Sequence, residues 1–467
     1  MDELDRITGL TGWTDRDREG QAAMLMILYS RNRQRRYVRA KDDPKKATSI
    51  RAVILASFIG TTIEWYDFFL YGTAAALVFN KLFFPNVDAL TGRLSAFGTF
   101  AVGFIARPVG GLVFGHYGDR KGRKGMLIYS LVIMGVATFA IGLLPTYERI
   151  GILAPIFLVV LRFAQGIGVG GEWGGAVLMA VEHSQGKNRG FHGSWPQMGV
   201  PAGLLLSTMV FALLSSNLSD AEFLAWGWRV PFLLSFILIG VGLFVRLRIL
   251  ETPAFTRLKG AGSECRVPLL DVVRHHRRNA LLGMGIRLAE NGTFYIFTVF
   301  VLSYGESQLK LPRNTMLTGV MIASVIGLFT TPAFGALSDR VGRRPVYLTG
   351  AVFTFLFAFP FFRLLDTRTP FLIWLAIVLA VNIGHDAMYG PQAAYLSELF
   401  GTGVRYTGAS LSYQLTSVFS GGFAPLIATA LLASFGTFAV AAYMSGMALI
   451  TVVSTYFASE TFRGDIS

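Results

Sequence analysis

The chain has 467 residues, of which 53% are hydrophobic and only 15% are charged. Soluble domains have about a quarter of their residues charged, so a water-soluble fold of this composition would expose a large apolar surface. The single cysteine, Cys265, excludes a disulfide framework and a cysteine-based metal site. The formal net charge of +14 is compatible with a nucleic-acid-binding protein or a membrane protein with basic loops. The positions of the basic residues distinguish these two classes.

Residues 1–49 form a polar, arginine-rich segment that precedes the first long apolar run. Its start is acidic and does not resemble a secretory signal. The apolar stretch at residues 22–29 is too short to span a bilayer. We expect a disordered cytoplasmic tail, and an interfacial helix at residues 22–29 is the alternative.

From residue 51 onward, long apolar runs alternate with short polar connections. A helix needs about 20 apolar residues to cross a bilayer, and these runs are too continuous for the alternating strands of a membrane barrel. The sequence therefore predicts an all-α membrane protein with twelve transmembrane helices. The predicted spans are residues 51–80, 93–117, 125–145, 152–181, 191–216, 228–248, 280–305, 314–337, 345–365, 371–396, 406–433 and 436–458.

The basic residues lie mostly on one side of these predicted spans. If the N-terminus is cytoplasmic, the cytoplasmic segments hold 31 of the 42 Lys and Arg residues and the external loops hold 8. Basic residues are concentrated in cytoplasmic loops, so both termini are predicted to be cytoplasmic. The same distribution explains the positive net charge without a nucleic-acid partner. The remaining basic residues, Arg107, Arg162 and Arg287, lie within spans.

One charged motif occurs twice, at residues 114–124 and 334–344, with a constant offset of 220 residues. Each copy follows the second helix of a set of six. The motif residues are Gly115, Asp119, Arg120, Gly122 and Arg123 in the first copy, and Gly335, Asp339, Arg340, Gly342 and Arg343 in the second. A weaker echo relates Glu182 and Arg189 to Glu398 and Arg405.

This repeat predicts two matching six-helix bundles, at residues 50–248 and 279–459. A cytoplasmic linker at 249–278 joins them, and residues 460–467 form a short cytoplasmic tail. Duplicated bundles are typical of transporters, whose substrate site lies between the halves near the membrane midplane. The repeated glycines permit a close, sharp turn, and the charges beside the helix ends can hold one arrangement of the halves. We therefore interpret all the repeated residues as gating motifs, with plain basic-loop chemistry as the alternative.

Several sequence motifs resemble those of the major facilitator superfamily, across residues 50–460. The duplicated loop motif and Arg162-Phe-Ala-Gln-Gly166 are similar to two superfamily signatures. Other motifs resemble the metabolite:proton symporter family within it, which includes carriers of shikimate, 2-oxoglutarate, citrate, and proline or betaine. These motifs are Glu64-Trp-Tyr-Asp-Phe68, Arg107-Pro-Val-Gly-Gly111, Gly170-Gly-Glu-Trp173, Trp226-Gly-Trp-Arg-Val-Pro-Phe232, Glu251-Thr-Pro-Ala-Phe255, Glu398-Leu-Phe400 and Val404-Arg-Tyr-Thr-Gly408.

The likeness within this family is greatest to the shikimate carriers and to related uncharacterised metabolite transporters. It rests on Gly115-His116, on the segment Arg287-Leu-Ala-Glu290 and on the segment Asn382-Ile-Gly-His-Asp386. The resemblance implies a proton-coupled carrier that works by alternating access.

Ionisable residues inside membrane spans are costly and are therefore candidates for function. Glu64, Asp67 and Tyr71 share one face of the first predicted helix because they are three and four residues apart. Two carboxylates in an apolar cavity disfavour double ionisation, so one can hold a proton. We assign proton coupling to Glu64 and Asp67; a structural ion pair between Asp67 and Arg107 is the alternative.

The remaining candidates lie on the fourth, seventh and tenth predicted helices. Arg162 is assigned to proton coupling, with a structural pairing to Glu172 or to an acid of the first helix as the alternative. Arg287 and Glu290 form either an intrahelical pair or a substrate site in which Arg287 faces an anion. His385 can titrate near neutral pH. The proton-coupling set also includes Asp386, and the substrate-binding set is Arg287, Glu290, His385, Tyr71 and Tyr389.

The sequence thus predicts a proton-coupled symporter that imports a small organic acid, resembling shikimate or another carboxylate. Proton-coupled uptake of an osmolyte such as proline or betaine is the alternative. No Walker motif is present, which disfavours ATP-driven transport, and no nucleophile–base set indicates an enzyme. The expected location is the bacterial inner membrane. The expected partners are a small-molecule substrate, protons and lipid, with no metal, no cofactor and a monomeric chain.

Overall fold

The computed structural model describes residues 50–121, 123–170, 188–248, 274, 276–400 and 405–462, and these residues are helical with short connections. The predicted tail at residues 1–49 and most of the predicted linker lie outside this part of the chain. No β-strand occurs in the described residues.

The first half of the chain contributes six long helical segments, α1 to α6. They are α1 (Ile50–Ala74, continuing through Ala75–Phe79 to Asn80–Leu82), α2 (Ala89–Lys121), α3 (Arg123–Leu143), α4 (Leu153–Gly170), α5 (Arg189–Gln197 and Gly199–Asn217) and α6 (Arg229–Arg248).

The second half repeats this arrangement with α7 to α12. They are α7 (Arg277–Tyr295, continuing through Ile296–Phe300 to Val301–Ser307), α8 (Arg313–Val341), α9 (Arg343–Asp366), α10 (Pro370–Leu379, continuing through Ala380–His385 to Asp386–Glu398), α11 (Arg405–Thr416, continuing through Ser417–Gly422 to residue 435) and α12 (residues 437–457). Gly436 separates α11 from α12 because its φ of 75° interrupts the helix Ala424–Phe457.

Each of the twelve predicted spans coincides with one of these segments to within a few residues at the described ends. Within the described residues, seven helices are long and apolar enough to cross a bilayer, or eight if one bent pair counts as a single span. Large apolar side chains also point outward: Phe329, Phe435 and Phe438 are each more than 70% exposed. Such rings suit a lipid surface and not an aqueous one.

The two halves meet through helices that carry small residues at their contacts. Gly421 and Gly422 of α11 lie against Phe104 of α2. Gly190 of α5 and Gly335 of α8 approach each other so closely that a Cβ atom added at Gly335 would lie 2.7 Å from the Gly190 carbonyl oxygen. Glycine at these positions therefore permits backbone contact between the halves.

Short π-helical turns interrupt α1, α7, α10 and α11. They span Ala75–Phe79, Ile296–Phe300, Ala380–His385 and Ser417–Gly422. A π-helical turn inserts an extra residue and changes the direction in which the following side chains point. The turns in α10 and α11 contain His385 and Ser417, both of which contribute to the polar cluster described below.

Candidate functional site

Arg287 of α7 is the centre of a buried polar cluster in the second half. Its guanidinium group donates hydrogen bonds to Glu290 (3.2 Å), Gln392 (2.7 Å), Asn291 (3.0 Å) and Ser417 (3.2 Å). The side chain is 1% exposed. Three helices, α7, α10 and α11, therefore hold this one cation in place through a planar fork that lysine does not have.

Tyr413 of α11 completes the surroundings of this guanidinium group. The Cζ atom of Arg287 lies 3.2 Å from the centre of the Tyr413 ring. Nε of Arg287 has no hydrogen-bond partner among the described residues. The arginine thus keeps one donor available while its other nitrogen atoms are engaged.

Glu290 links Arg287 to a histidine on the neighbouring helix α10. One Glu290 oxygen lies 3.3 Å from Nε2 of His385, and the other accepts hydrogen bonds from Arg287 and from Gln392 (2.7 Å). Nδ1 of His385 lies 2.9 Å from Asp386. The result is a continuous chain of ionisable groups from Arg287 to Asp386.

The ring of His385 is held in position by aromatic neighbours on both sides. Phe294 stacks on it with ring centres 4.2 Å apart, and Tyr389 stacks with ring centres 4.8 Å apart. Asp386 accepts hydrogen bonds from Asn382 (3.0 Å) and from the hydroxyl of Thr330 on α8. These contacts fix both ends of the histidine–aspartate pair.

The first half contains a second buried group of ionisable residues, around Arg162 of α4. Arg162 donates a hydrogen bond to Gln165, and Gln165 donates to Thr138 of α3 (2.8 Å) and to the main-chain oxygen of Asp67 (3.2 Å). Neither carboxylate oxygen of Asp67 has a hydrogen-bond partner in the described part of the chain. Burial without hydrogen-bond donors disfavours the charged form of a carboxylic acid.

Phe68 of α1 lies between two arginines. The guanidinium Cζ atoms of Arg107 and Arg162 are 4.2 Å and 4.3 Å from the centre of its ring. The ion pairs among the described residues do not include one between Asp67 and Arg107. Arg107 lies instead over aromatic rings, which attract a desolvated cation.

Tyr71, which the sequence grouped with the substrate-binding residues, belongs to this first group. Its hydroxyl donates a hydrogen bond to Thr99 of α2 (2.7 Å), and its ring faces Arg162 at 4.1 Å. Between the two groups, Phe68 and Phe104 contact Tyr295 of the second half, with ring centres 6.2 Å and 5.2 Å apart. Aromatic side chains therefore separate the acids of α1 from the cluster around Arg287.

The second copy of the repeated motif joins the two halves at one end of the bundle, which we call the motif end. Asp339 of α8 accepts hydrogen bonds from the backbone N–H groups of Gly190 and Phe191, each at 2.8 Å. These groups lie in the first turn of α5, where unpaired N–H groups favour a negative charge. The acid thus caps a helix of the opposite half.

A network of ion pairs supports this contact. Arg343 pairs with Asp339 (2.7 Å) and with Glu398 (3.2 Å), and Glu398 also pairs with Arg189 of α5 (3.4 Å). Arg189, Arg343 and Glu398 are almost completely buried. Charged groups buried in this way are costly unless they are paired, so removal of one partner would leave an uncompensated charge at the motif end.

The C-terminal segment adds two further contacts to this network. The carboxylate of Glu460 accepts hydrogen bonds from the backbone N–H groups of Arg343 and Arg344, each at 3.0 Å. The hydroxyl of Thr461 donates to Glu398 (2.6 Å). The chain end following α12 thereby caps the first turn of α9.

Some predicted gating residues are not part of this described network. Arg340 is exposed, and no hydrogen bond or ion pair joins its side chain to the motif residues that the structure describes. Gly342, with a φ of 110°, forms the turn between α8 and α9. The side chains of Asp119, Arg120, Arg123, Glu182 and Arg405, together with the residue Gly122, lie outside the described part of the chain, as does Glu172. Gly115 lies within α2. Glu64 is buried on α1.

At the opposite end of the bundle, the two halves meet through two polar pairs, each with at least one partner that is more than a third exposed. Lys81 of α1 pairs with Glu306 of α7 (2.6 Å), and Arg313 of α8 pairs with Asp220 (2.6 Å). Asp220 is 86% exposed. Exposed pairs contribute little to stability, so this end is held less firmly than the motif end.

Sequence reasoning missed several residues that build these sites. Gln392, Asn291 and Ser417 bind Arg287, and Phe68 lies between two arginines. A glutamine, serine or phenylalanine in an apolar helix carries no recognisable signal by itself. Their partners lie on other helices, at separations in sequence that only the tertiary structure reveals.

Two helical halves that each bury a group of ionisable residues, and that contact each other at both ends, are typical of a membrane transport protein. The model of the Major Facilitator Superfamily matches residues 57–421. The chain belongs to this superfamily, and its fold is therefore that of twelve transmembrane helices in two six-helix halves. It is a transporter and not an enzyme.

Curated bacterial relatives match over nearly their whole length. The chain is 42% identical over 417 residues to the shikimate transporter of Escherichia coli, a match that covers 88% of this chain and 95% of that protein. It is 43% identical over 415 residues to an E. coli inner membrane metabolite transport protein, with 88% and 94% covered. Similarity to such proteins identifies a multi-pass inner-membrane protein.

Other relatives carry different names. The proline/betaine transporter of E. coli is 36% identical over 404 residues, with 84% of this chain and 80% of that protein covered. Among solved structures, a D-xylose-proton symporter superimposes with a TM-score of 0.70 at 18% identity, covering 90% of this chain and all of that one. At this identity, the superposition supports the fold alone.

Proposed function

We propose that the protein is a proton-coupled symporter that imports a small organic acid by alternating access. The observation that carries this proposal is Arg287, a fully buried guanidinium group held by three helices close to the interface of the halves. A carboxylate can bind such a planar fork through two hydrogen bonds. The similarity to a shikimate transporter supports the same substrate class.

The contacts at the two ends support the alternating-access part of the proposal. The described residues are joined across the halves at the motif end through Asp339 and Gly190, and at the opposite end through Lys81 and Glu306. A carrier must break one set of contacts while it keeps the other. Such an arrangement represents a closed intermediate between two open forms.

Uptake of proline or betaine is the second candidate, because proline/betaine transporters are among the relatives. A quaternary ammonium group is bound by unoccupied aromatic faces. In the described structure, arginines already lie over the central rings of Phe68, Phe104 and Tyr413. An anion is therefore favoured over a quaternary ammonium group.

Proton coupling is assigned to buried carboxylates in both halves. Asp67 has no hydrogen-bond donor in the described structure, and Asp386 is paired with His385. Burial makes the charge of each acid sensitive to its neighbours. Arg162 and Glu64 lie on α4 and α1, in the same half as Asp67, and complete the proposed set.

The direction of import depends on the orientation in the membrane, which the basic residues predict with both termini in the cytoplasm. Cys265, the only thiol of the chain, lies in the basic segment between the halves. We expect an impermeant thiol reagent to label it in inverted vesicles and not in intact cells. Ready labelling in intact cells would reverse the proposed orientation.

Counterflow in proteoliposomes tests the substrate class. Vesicles loaded with unlabelled shikimate should accumulate labelled shikimate transiently, whereas vesicles loaded with glycine betaine should not. A carrier exchanges its substrate in this way, and a channel does not. Counterflow with betaine and none with shikimate, 2-oxoglutarate or citrate would reject the organic-acid proposal and support the osmolyte alternative.

A further inference from the structure

The cluster around His385 contains two acids and two groups that can carry a positive charge. Arg287, Glu290, His385 and Asp386 are each at most 2% exposed and form one connected chain. With His385 protonated, the four charges sum to zero. With His385 neutral, the cluster carries one uncompensated negative charge, which is costly in a buried site.

The groups around His385 add no further formal charge to this balance. From α7 it faces Glu290, and through it Arg287; from its own helix it faces Asp386 and Tyr389. Thr330 of α8 reaches it only through Asp386. Near Arg287, the hydroxyl of Tyr347 on α9 accepts a hydrogen bond from Gln392, and the ring of Tyr413 on α11 lies against the guanidinium group. Tyrosines are neutral at ordinary pH.

We infer that this cluster takes up one proton for each carboxylate that binds Arg287, and that Glu290 receives that proton. The inference rests on the proposed function, since it requires an organic acid at Arg287. It moves Glu290 from the substrate-binding residues to the proton carriers. Substrate recognition and proton binding then occur in the same half, on two side chains that are in direct contact.

The exchange of partners balances in charge and in atoms. The substrate carboxylate replaces Glu290 as acceptor of the Arg287 Nη1–H group. Glu290, released from the arginine, accepts a proton from the open aqueous side and becomes a neutral carboxyl group. Arg287 and His385 remain positive, Asp386 and the substrate remain negative, and the cluster stays neutral. No covalent bond other than the new O–H bond changes.

Gln392 can keep its hydrogen bonds before and after this exchange of partners. Its amide group donates to Glu290 (2.7 Å) while its oxygen accepts from Arg287 (2.7 Å). When the acid becomes protonated, the carbonyl oxygen of Glu290 still accepts from Gln392. The amide thus keeps the two side chains in position in both states. For a monocarboxylate, the bound complex carries no net charge and crosses between open forms without an electrostatic penalty.

The test measures how many protons the purified protein takes up when a substrate binds. The number is obtained from the pH change in a weakly buffered solution. Shikimate is the probe, with 2-oxoglutarate and glycine betaine tested alongside. We expect uptake of one proton per shikimate in the parent and in Glu148→Gln, which removes an exposed acid outside both buried groups. The double variant Glu290→Gln with Asp386→Asn should bind shikimate with no proton uptake. With both acids replaced by amides, no carboxylate holds the proton of His385, so His385 is neutral and the empty cluster carries only the charge of Arg287, which the anion neutralises.

An infrared difference spectrum gives a second readout that does not require the double variant to fold. Binding should produce a protonated carboxyl band in the parent, and Glu290→Gln alone should lack that band. Acid binding without proton uptake in the parent would overturn the inference while the proposed function stands. Uptake retained in the double variant, or lost in Glu148→Gln, would also overturn it. If the protein binds betaine but neither shikimate nor 2-oxoglutarate, or binds none of the three, both the proposed function and the inference are rejected.

Discussion

The carboxylate of Asp339, near the end of α8, accepts a hydrogen bond of 2.8 Å from the backbone N–H group of Gly190, in the first turn of α5. This bond joins the two halves, and a second one from Phe191 reinforces it. The acid also pairs with Arg343. One side chain therefore combines a helix cap of one half with an ion pair of the other.

Asp339→Asn should weaken closure of the motif end without unfolding the protein. A charged group at a helix N-terminus contributes about 1 kcal/mol, so its loss should shift the open-to-closed ratio about fivefold. The measurement is thiol labelling of Ser194→Cys, a buried position in α5, in a Cys265→Ser background. Arg340→Gln, from the same motif but exposed, is the control and should label at the parental rate. Equal labelling of Asp339→Asn and the control would contradict a role in closure.

Gly335→Ala should prevent the halves from closing fully at the motif end. The added methyl group would lie 2.7 Å from the carbonyl oxygen of Gly190 and 2.9 Å from Cβ of Ser194. Such contacts with backbone cannot be relieved without separating α5 from α8. We expect transport to fall at least tenfold at normal membrane abundance. Gly446→Ala, where a Cβ atom would meet nothing within 4 Å, should transport normally. Parental transport by Gly335→Ala would show that this contact is not needed for turnover.

Arg287→Lys should weaken binding of organic acids strongly while the protein still folds. Lysine keeps the charge but cannot bind Gln392, Asn291 and Ser417 together with a carboxylate. Loss of a charge-assisted bidentate contact costs about 1.5–3 kcal/mol, or roughly a tenfold to hundredfold loss of affinity. Calorimetry with shikimate measures it. The exposed Arg363→Lys serves as the matched control, and an unchanged affinity in Arg287→Lys would exclude Arg287 from acid recognition.

Asp67→Asn should separate coupling from exchange. The amide has the shape of the protonated acid, and no ion pair of Asp67 is lost among the described residues, so the fold should be retained. Uptake driven by a pH gradient should fall sharply, whereas exchange at equal substrate concentrations should persist because it needs no net proton release. Labelled-substrate uptake and exchange in the same proteoliposomes measure both. Loss of both activities together would indicate a structural role for Asp67.

Glu306→Gln should loosen the opposite end by a small, salt-dependent amount. Lys81 and Glu306 are 38% and 27% exposed in their side chains, and such pairs contribute about 0–1 kcal/mol. Labelling of a cysteine at Ser303, a buried residue of α7, should rise about two- to fivefold at low salt. The difference from the parent should disappear at high salt. A salt-independent difference would point to packing and not to the ion pair.

The spans could be predicted from the sequence because the bilayer requires long apolar runs, and the break at Gly436 matches the predicted start of the last span at residue 436. The repeated motif likewise located Asp339 and Arg343 correctly as charged residues beside a helix end. What the pattern could not give was their partners. Glu398, which the sequence matched with Glu182 in the weaker echo, pairs with Arg343 and Arg189, because tertiary packing decides which charges meet.

The polar cluster was predictable in part. Arg287, Glu290, His385 and Asp386 were identified because ionisable residues are rare in spans. The sequence did not predict that His385 would bridge Glu290 and Asp386. That bridge requires α7 and α10 to pack together with these residues at the same level along the helices. The π-helical turn that ends at His385 adds a local change of direction that no residue pattern in the segment signals.

The caps that Glu460 and Thr461 provide for the motif end have a practical consequence for reporter fusions. The segment that follows α12 is part of the contact at the motif end, since it binds the first turn of α9 and Glu398. A fluorescent protein joined directly after α12 would remove these caps, and one joined after residue 467 would leave them intact. Expression levels read from the shorter fusion would then describe a carrier that lacks these contacts at its motif end.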